Sequence, residues 1–453
     1  MKALGLDIGT TTLCLTVIDA KAGSCIDSTT VPNDSFIAGR DFERLQDPSV
    51  ILRKVFELVN TAAVKYNDIV SLGVTGQMHG IVYLDANGEA AGPLAIWQDE
   101  RGNERIGDET YAQTLSRLTG YAIATGFGSV THYYNTLNHQ IPANASTFCT
   151  IHDYAAMKLA GVTKPFLNVT DAASFGLFDL AAGQFDINAI EAAGMNPAMF
   201  PQVTSGATKL GRTEHGIPVF AAIGDNQASF IGSVREPQKS VLVNVGTGSQ
   251  ISFYEPIGAA GIPSASSAME TRPMPIAGHL KVGAALCGGR AYAALEGFFR
   301  QVVTLAGYEP KRLYAAMDTL AAQAPAQPLD ISTAFCGSRE NPALRGSIAN
   351  LGLENFTPAH FIYGVLEGSV NELLDMYNAG QANKSKHKIL VASGNGIRRG
   401  LPLQKIFAEK FGMRLQIPAH EEEAAYGAAL FGLVGAGVYA SLEEAQALIK
   451  YRE

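Results

Sequence analysis

Two kinds of hydrophobic periodicity alternate along the first third of the chain. Short apolar runs such as LGLDI (4–8) and IVSLGVTG (69–76) predict buried strands. Between them, residues 49–66 repeat apolar positions at the helical period behind the start sequence DPS, which predicts a helix. The alternation predicts an α/β fold with a mostly parallel or mixed sheet covered by helices.

The same pattern restarts after residue 240 and repeats one unit. Residues 2–19 and 240–255 each read as two apolar strands joined by a turn of glycine and threonine, which predicts a hairpin. Asp7 ends the first strand of the first unit, and Asn244 takes the equivalent place in the second. We therefore expect two related halves.

Length and composition refine this picture. A chain of 453 residues exceeds the size of one comfortable core, so we expect two domains, 1–235 and 236–453, divided at the charged, proline-containing stretch SVREPQKS. The net charge is −8 and no Lys/Arg-rich block occurs, which argues against nucleic acid as a partner. Five scattered cysteines indicate reduced thiols, and the first strand leaves no room for a signal peptide, so we expect a cytoplasmic protein.

One stretch resembles a membrane span by length alone. Residues 424–442 carry no charge, yet they are rich in alanine and glycine and are interrupted at Gly435 and Gly437. This composition favours a buried helix followed by a turn, and we expect no association with a membrane.

The glycine and threonine turns predict a site for phosphate. Their backbone N–H groups and hydroxyls can hold phosphate oxygens from opposite sides. Asp7 could hold Mg²⁺ through water, whereas Asn244 adds no second negative charge beside a polyanion. The alternative is that the first turn is merely polar. The candidate residues are Gly9, Thr10, Thr11, Thr12, Gly246, Thr247 and Gly248.

Two further stretches carry side chains that suit a sugar. In GVTGQMHG (73–80), Gln77 and His79 follow a buried strand, where side chains usually face a crevice; the alternative is a structural histidine in a turn. In IWQDERG (96–102), Trp97 can cover C–H faces while Asp99 accepts hydroxyl protons. The alternative there is a surface loop with a solvated Asp–Arg pair.

Asp225 is the sharpest single candidate. In FAAIGDNQASF (220–230) it lies between an apolar strand and the start of a helix, so it could cap that helix or act as a general base toward a substrate hydroxyl. The strand, Gly/Asn-rich turn and helix of residues 389–412 are typical of a nucleotide-base pocket. CGGR (287–290) is similarly small. No P-loop, HExxH zinc motif, GxSxG elbow or GxGxxG occurs, which disfavours hydrolases and dehydrogenases.

Taken in order, these stretches resemble the FGGY carbohydrate kinases. LGLDIGTTT, GVTGQMHG, IWQDERG, IGDNQAS, VNVGTGSQ, VASGNGIRRGLPLQ and EEEAAYGAALFG follow the family's order over roughly residues 3–435. The resemblance implies two ribonuclease-H-like (actin-like ATPase) domains around a central cleft. It also implies ATP and Mg²⁺ as cofactors, a small-molecule sugar as substrate, ATP held largely by the second domain and the sugar by the first, and a homodimer as a candidate assembly.

The resemblance also implies roles for individual residues. Asp225 matches the catalytic base, Asp7 the metal-binding carboxylate, and the two threonine-bearing turns the phosphate loops. The family's adenosine-binding region corresponds to Gly289, Gly394 and Asn395 of this chain. The sugar side, with Trp97 added from the pattern above, comprises Gln77, Met78, His79, Trp97, Asp99, Asp225 and Asn226.

Within the family, ATGFG (124–128), TIHDY (150–154) and GDNQAS (224–229) look most like sedoheptulokinases. This implies phosphoryl transfer to the terminal primary hydroxyl of a ketose, with sedoheptulose as the acceptor. Xylulose or another ketose or polyol is the alternative acceptor. An alternative of another class is a non-catalytic sensor that binds ATP and sugar.

Overall fold

Two mixed sheets that share a five-stranded core of the same connectivity form the centre of the molecule. The computed structural model describes residues 1–257, 269–338, 341, 343–380 and 386–452. The strands of the first sheet lie in the order Lys209–Arg212, Pro218–Phe220, Ile69–Gly76, Lys2–Ile8, Thr12–Asp19 and Cys25–Pro32, with Ile223–Gly224 also paired to Ile69–Gly76. Those of the second lie in the order Glu270–Pro273, His279–Ala285, Ser249–Glu255, Ser240–Val245, Ile389–Ser393 and Arg414–Gln416.

The predicted hairpins are confirmed, and they hold equivalent places in the two sheets. In each, the first strand of the hairpin pairs antiparallel with its partner and parallel with a later strand. Asp7 lies opposite Thr75 of the parallel neighbour, and Asn244 lies opposite Ser393. The repeat read from the sequence is therefore a repeat of topology.

Helices cover both sheets. The predicted helix at 49–66 is Pro48–Lys65, and the Asp47 side chain caps it by accepting from the Ser49 N–H at 2.8 Å. The other α-helices are Tyr111–Thr119, Gly128–Leu137, Ile151–Leu159, Val169–Ser174, Ile187–Ala192, Asp225–Ser233, Gly289–Leu305, Tyr314–Leu320, Pro358–Ala379, Asn395–Arg399, Leu401–Phe411, Glu423–Gly435 and Leu442–Gln446.

Short elements connect these layers. The 3₁₀ turns are Arg101–Asn103, Pro197–Met199 and Pro237–Lys239. The small strands pair outside the two main sheets; they are Phe36–Ile37, Leu45–Gln46, Val82–Asp85, Leu94–Ala95, Arg105–Ile106, Glu109–Thr110, Ala145–Cys149, Phe166–Asn168, Phe178–Asp179, Gln184–Phe185, Gln202–Thr204, Asp330–Ser332 and Ser347–Ala349.

The alanine- and glycine-rich stretch near the C-terminus forms a buried helix, Glu423–Gly435, which we call the C-terminal core helix. Nine consecutive residues, Ala425–Leu433, are buried, so the helix is surrounded by protein on all sides. Across the described ranges, no helix combines the length and apolar character needed to cross a bilayer.

Glycines allow the C-terminal core helix to touch other backbones directly. A Cβ added to Gly5 would lie 1.8 Å from the carbonyl oxygen of Ala425, and one on Gly73 would lie 1.8 Å from that of Ala428. On another side of the helix, a Cβ on Gly427 would lie 1.9 Å from the carbonyl oxygen of Ala228. The helix thus joins the first sheet to the helix Asp225–Ser233 at backbone contact distance.

This packing crosses the division expected at residue 235. The C-terminal core helix belongs to the second part of the sequence, yet it packs on the strands Lys2–Ile8 and Ile69–Gly76 of the first sheet. The division into 1–235 and 236–453 stays a prediction about which segments bind which substrate.

We expect Gly73→Ala to destabilise the protein by about 3 kcal/mol, because no shift of a side chain can relieve a clash with a backbone carbonyl. Gly297→Ala is the matched control: nothing lies within 4 Å of a Cβ built there, in the interior of a helix, so alanine should add up to about 1 kcal/mol. Urea unfolding measures both changes. Equal stability of the two variants would contradict the close approach.

Candidate active site

Two carboxylates lie near the ends of two strands that flank Ile69–Gly76 in the first sheet. Asp7 is the penultimate residue of its strand, and Asp225 follows Gly224, which pairs with Gly76 on the strand next to that of Asp7. Burial raises the pKa of Asp7 to about 7, and the negative charges of Asp225 and Glu422 add to this shift. The site therefore concentrates negative charge in a place poorly reached by water.

Asp225 does not cap its helix. The helix Asp225–Ser233 has Gly224 at its N-cap position, and no side chain makes a capping hydrogen bond there. The capping alternative is wrong. Burial raises the pKa of Asp225, while the neighbouring His152 and Arg272 oppose this rise. Hydrogen bonds from the backbone N–H groups of Asp225 and Asn226, in the first helical turn, also lower this pKa, but the net shift is upward, so the carboxylate is a stronger base than an exposed aspartate.

The first glycine and threonine turn lies beside Asp7 and is fixed by hydrogen bonds to its carbonyl groups. The Gly9 N–H donates to the Thr12 carbonyl at 2.9 Å, which closes the turn. Asn33 Nδ2 donates to the Gly9 carbonyl at 2.9 Å, and Gln46 Nε2 donates to the Thr10 carbonyl at 2.8 Å. Thr11 and Thr12 stay exposed at its surface, where they can meet a ligand.

Gln77 and Trp97 support this turn. Thr10 Oγ1 donates to Gln77 Oε1 at 3.0 Å, and Trp97 Nε1 donates to Thr10 Oγ1 at 3.0 Å. Gln77 Nε2 also donates to Gln46 Oε1 at 2.9 Å. The structure thus places both side chains against the phosphate turn, and contact between either of them and a sugar stays a prediction.

Asp99 forms a buried ion pair. Arg101 donates to its carboxylate from Nε at 2.7 Å and from Nη2 at 3.0 Å, and both residues are at least 95% buried. Arg101 Nη1 also donates to Asn135 Oδ1 at 2.6 Å. The alternative of a solvated surface pair is wrong. Both oxygens of Asp99 are occupied by protein donors, and its contact with a sugar stays a prediction.

Met78 and His79 line a cavity of about 630 Å³. His79 adopts a φ of 73°, which is strained for a non-glycine residue. Its ring stacks on Phe127 at 4.7 Å, and its Nδ1 donates to the Ser174 carbonyl at 2.6 Å. A Cβ on Gly224 would lie 2.6 Å from the Met78 sulfur, so Met78 packs directly against the residue before Asp225. We call this the acceptor cavity.

Asn226 connects the two halves. Its Nδ2 donates to Gln250 Oε1 at 3.2 Å, and Gln250 lies on the strand that follows the second glycine and threonine turn. Its Oδ1 is buried and has no hydrogen-bond partner among the described residues. Asn226 therefore lies where the second half of the molecule approaches Asp225.

A second cavity, of about 480 Å³, opens beside the second turn. Gly289 lines it, as predicted, and the turn that carries Gly394 and Asn395 leads into its wall at Gly396. The sequence did not indicate the rest of the wall. Its lining is Val245, Gly288, Gly289, Tyr292, Tyr314, Ala315, Asp318, Leu366, Ser369, Gly396, Arg399, Gly400 and Leu403.

Glycines bring three turns together at this second cavity. The Gly289 N–H donates to the Gly246 carbonyl at 2.9 Å, and a Cβ on Gly289 would lie 2.6 Å from that oxygen. Gly394 has a φ of 86°, and its Cβ would lie 2.7 Å from the Val245 carbonyl. Thr247 remains exposed at the turn between them. Backbone without side chains thus faces the space between the second turn and the cavity.

These residues fit a metal-bound nucleotide. Asp7 Oδ1 is buried and lacks a hydrogen-bond partner within the described chain, and a carboxylate oxygen is a preferred ligand of Mg²⁺. Its raised pKa shows that its charge is not compensated by neighbouring protein groups. The two turns and the second cavity supply N–H groups, hydroxyls and an apolar wall suited to phosphates and a base.

A buried polar layer that the sequence did not assign to the site lies behind Asp225. His152 Nε2 and Asp171 Oδ1 are 2.9 Å apart, and both side chains are fully buried. Burial raises the pKa of Asp171, and the charge of Asp225 raises it further. His152 falls within TIHDY, so the motif was visible, but only the fold shows its nearness to Asp225.

The two sheets share a five-stranded topology with a turn of glycine and threonine on each, which is the duplicated arrangement of the actin-like fold. The model of the FGGY family of carbohydrate kinases, N-terminal domain, matches residues 2–232, and that of the C-terminal domain matches residues 282–436. The chain belongs to this family and is a carbohydrate kinase.

Individual relatives agree with this assignment. Sedoheptulokinase from Mus musculus is 25% identical and covers 94% of this chain and 96% of its own length. The structure of ligand-bound xylulose kinase from Lactobacillus acidophilus has a TM-score of 0.83 at 19% identity, covering 100% of this chain and 93% of that one. Plasmodium falciparum glycerol kinase with ADP has a TM-score of 0.79 at 16% identity, covering 99% and 92%.

We expect Asp99→Ala to destabilise the protein by about 3–5 kcal/mol, because Arg101 is left as a buried charge without its partner. The double variant Asp99→Ala with Arg101→Met should recover much of this loss, and Asp108→Ala, an exposed neighbour, should change little. Chemical denaturation measures all three. If Asp99→Ala instead leaves stability unchanged and weakens sugar binding, Asp99 acts on the substrate.

Proposed function

We propose that this kinase transfers the γ-phosphoryl group of ATP to the terminal primary hydroxyl of sedoheptulose, giving sedoheptulose 7-phosphate and ADP. The observation that carries the proposal is the position of Asp225. Its half-buried carboxylate follows a strand end. On one side, the preceding Gly224 contacts Met78 and Thr170 of the acceptor cavity, and on the other, the following Asn226 donates to Gln250 beside the second glycine and threonine turn. A hydroxyl bound in that cavity would meet a base on the side from which the nucleotide arrives.

In the proposed reaction, Asp225 accepts the proton of the acceptor hydroxyl while its oxygen forms a bond to the γ-phosphorus. The bond from that phosphorus to the bridging oxygen breaks, and the electron pair leaves with ADP. The raised pKa of Asp225 suits this role, because a carboxylate with a higher pKa holds the transferred proton more strongly. Asn226 and Met78 orient the acceptor beside it.

The phosphate turns and Asp7 neutralise the nucleotide. Thr11, Thr12 and Thr247 donate hydroxyls, and the backbone N–H groups of both turns face the phosphates. Asp7 would hold Mg²⁺, which supplies positive charge to the phosphate oxygens when it is bound. We assign the sugar to segment 1–235 and ATP to segment 236–453, where the second cavity lies.

The choice of sedoheptulose rests on the stretches ATGFG and TIHDY and on sedoheptulokinase from Mus musculus, which is 25% identical and covers 94% of this chain. Xylulose is the second candidate, because solved structures of the same fold include xylulose kinases. The two ketoses present the same kind of terminal hydroxyl to Asp225. The chemistry proposed for Asp225 is therefore independent of which of them is preferred.

The acceptor is tested by ADP release with Mg-ATP across sedoheptulose, D-xylulose, L-ribulose, glycerol and erythritol. We expect kcat/KM for sedoheptulose to exceed that for the other sugars by at least tenfold. A preference for xylulose would keep the mechanism and reject the proposed acceptor. Binding of ATP without turnover of any sugar would favour a non-catalytic sensor.

We expect Asp225→Asn to lower kcat by about 10²–10⁴-fold, because the amide cannot accept the proton. Binding of the ketose, measured by calorimetry, should stay near that of the wild type, since the substitution preserves shape. Asp108→Asn, at an exposed position outside both cavities, serves as a control for the loss of a carboxylate. Unchanged turnover in Asp225→Asn would remove Asp225 from the role of base.

A further inference from the structure

One wall of the acceptor cavity comes from the second half of the chain. Met78, His79 and Thr170 belong to the first half, but the strand Glu270–Pro273 lines the same cavity from the other side. This strand is the edge strand of the second sheet, paired only to His279–Ala285 among the described residues. The acceptor cavity is therefore built from both halves.

Hydrogen bonds fix this wall in place. Gln227 Nε2 donates to the Pro273 carbonyl at 3.0 Å, and Asn168 Nδ2 donates to the Pro275 carbonyl at 3.3 Å. The Gly206 N–H donates to the same Pro275 oxygen at 2.7 Å. Gln227 and Asn168 are fully buried, so the strand is attached to the first half by bonds that water does not weaken.

The wall carries a largely buried ion pair. Arg272 donates to Oε2 of Glu270 from Nε at 3.0 Å and from Nη2 at 2.6 Å. The side chain of Arg272 is only 11% exposed, and that of Glu270 is 42% exposed. Both bonds end on one carboxylate oxygen, so the two N–H groups on Nη1 lie outside the pair.

The surroundings of Arg272 favour an uncharged ligand with several hydroxyl groups. Much of the cavity is apolar, with Ile123, Leu177 and Leu180 in its lining. The Arg272 guanidinium would therefore be stabilised by hydrogen bonds to hydroxyl oxygens of a ligand. Glu270 already balances the positive charge of Arg272. An uncharged polyol chain therefore fits better than a sugar acid, because the carboxylate of a sugar acid would be repelled by Glu270. Arg272 also lies within electrostatic reach of Asp225, whose pKa it lowers.

We propose that Arg272, oriented by Glu270, is an acceptor-binding residue that the second half contributes to the sugar site, where it donates hydrogen bonds to hydroxyls of an uncharged ketose. The acceptor site is then complete only when the strand Glu270–Pro273 lies against the first half. The proposal rests on the acceptor cavity of the proposed function, but it does not depend on which ketose is preferred.

The test compares Arg272→Met, Arg272→Lys and the control Arg53→Met, which removes an exposed arginine on the helix Pro48–Lys65. With the ketose that the wild type prefers, Arg272→Met should raise the sugar KM by about 10–100-fold while the KM for Mg-ATP changes less than twofold. Arg272→Lys should restore little, since lysine lacks the planar set of donors. Arg53→Met should match the wild type.

Two results would overturn the proposal. One is an unchanged sugar KM in a folded Arg272→Met protein. The other is a fall in kcat alone that Arg272→Lys reverses, because the residue would then act only through its charge on Asp225. If Arg272→Met does not fold, the variant Glu270→Gln tests the proposal instead. It should raise the sugar KM severalfold and improve the binding of gluconate relative to that of the ketose. If neither quantity changes, the proposal is overturned.

The wild-type panel separates this proposal from the proposed function. A preference for xylulose rejects sedoheptulose, and the Arg272 comparison is then made with xylulose. If no sugar is turned over, calorimetric titration of sedoheptulose and of xylulose into the wild type and Arg272→Met tests the binding role directly. Equal affinity of the two proteins for both sugars would overturn it.

Discussion

The site depends on a backbone-to-backbone contact that only glycine permits. The C-terminal core helix touches the first sheet at Gly5 and Gly73 and the helix of Asp225 at Gly427. Asp7 lies two residues beyond Gly5 on one of those strands, and Glu422 immediately precedes the core helix. The carboxylates therefore lie on elements whose separation is set by hard contact between main chains. Segments more than 400 residues apart in sequence are held in a single layer behind the cleft.

The duplicated topology explains why the two phosphate turns are alike in backbone but differ in charge. Asp7 and Asn244 hold the same place in their sheets, opposite Thr75 and Ser393 respectively. Asn244 Nδ2 donates to Ser393 Oγ at 2.9 Å, so the second sheet satisfies its polar residue within the protein. Asp7 Oδ1 has no such partner in the described part of the chain. The first sheet thus leaves a carboxylate oxygen without a partner among these residues, while the second carries a hydrogen-bonded, uncharged amide at the same place.

Local patterns in the sequence report which residues are buried and where strands end, and those features were predicted well. The hairpins, the helix Pro48–Lys65 and the position of Asp225 between strand and helix all follow from periodicity and turn residues. Partners distant in sequence leave no such signal. IWQDERG contains both Asp99 and Arg101, but nothing in it shows that this pair is buried, that the backbone N–H of residue 44 donates to Asp99, or that Trp97 would reach Thr10. Likewise, the strand Glu270–Pro273 reads as an ordinary edge strand until the fold brings it to the acceptor cavity.

The charges around Asp7 and Asp225 relate the proposed metal site to the proposed base. Burial, together with the negative charges of Asp225 and Glu422, raises the pKa of Asp7 to about 7. In the proposed reaction, Mg²⁺ held by Asp7 would offset these charges and favour the ionised form of Asp225, which is the state that a base requires. Arg272 lowers the pKa of Asp225 and so acts in the same direction. Because Arg272 lies on the strand Glu270–Pro273, a residue from the second half of the chain favours the ionised form of the base proposed in the first.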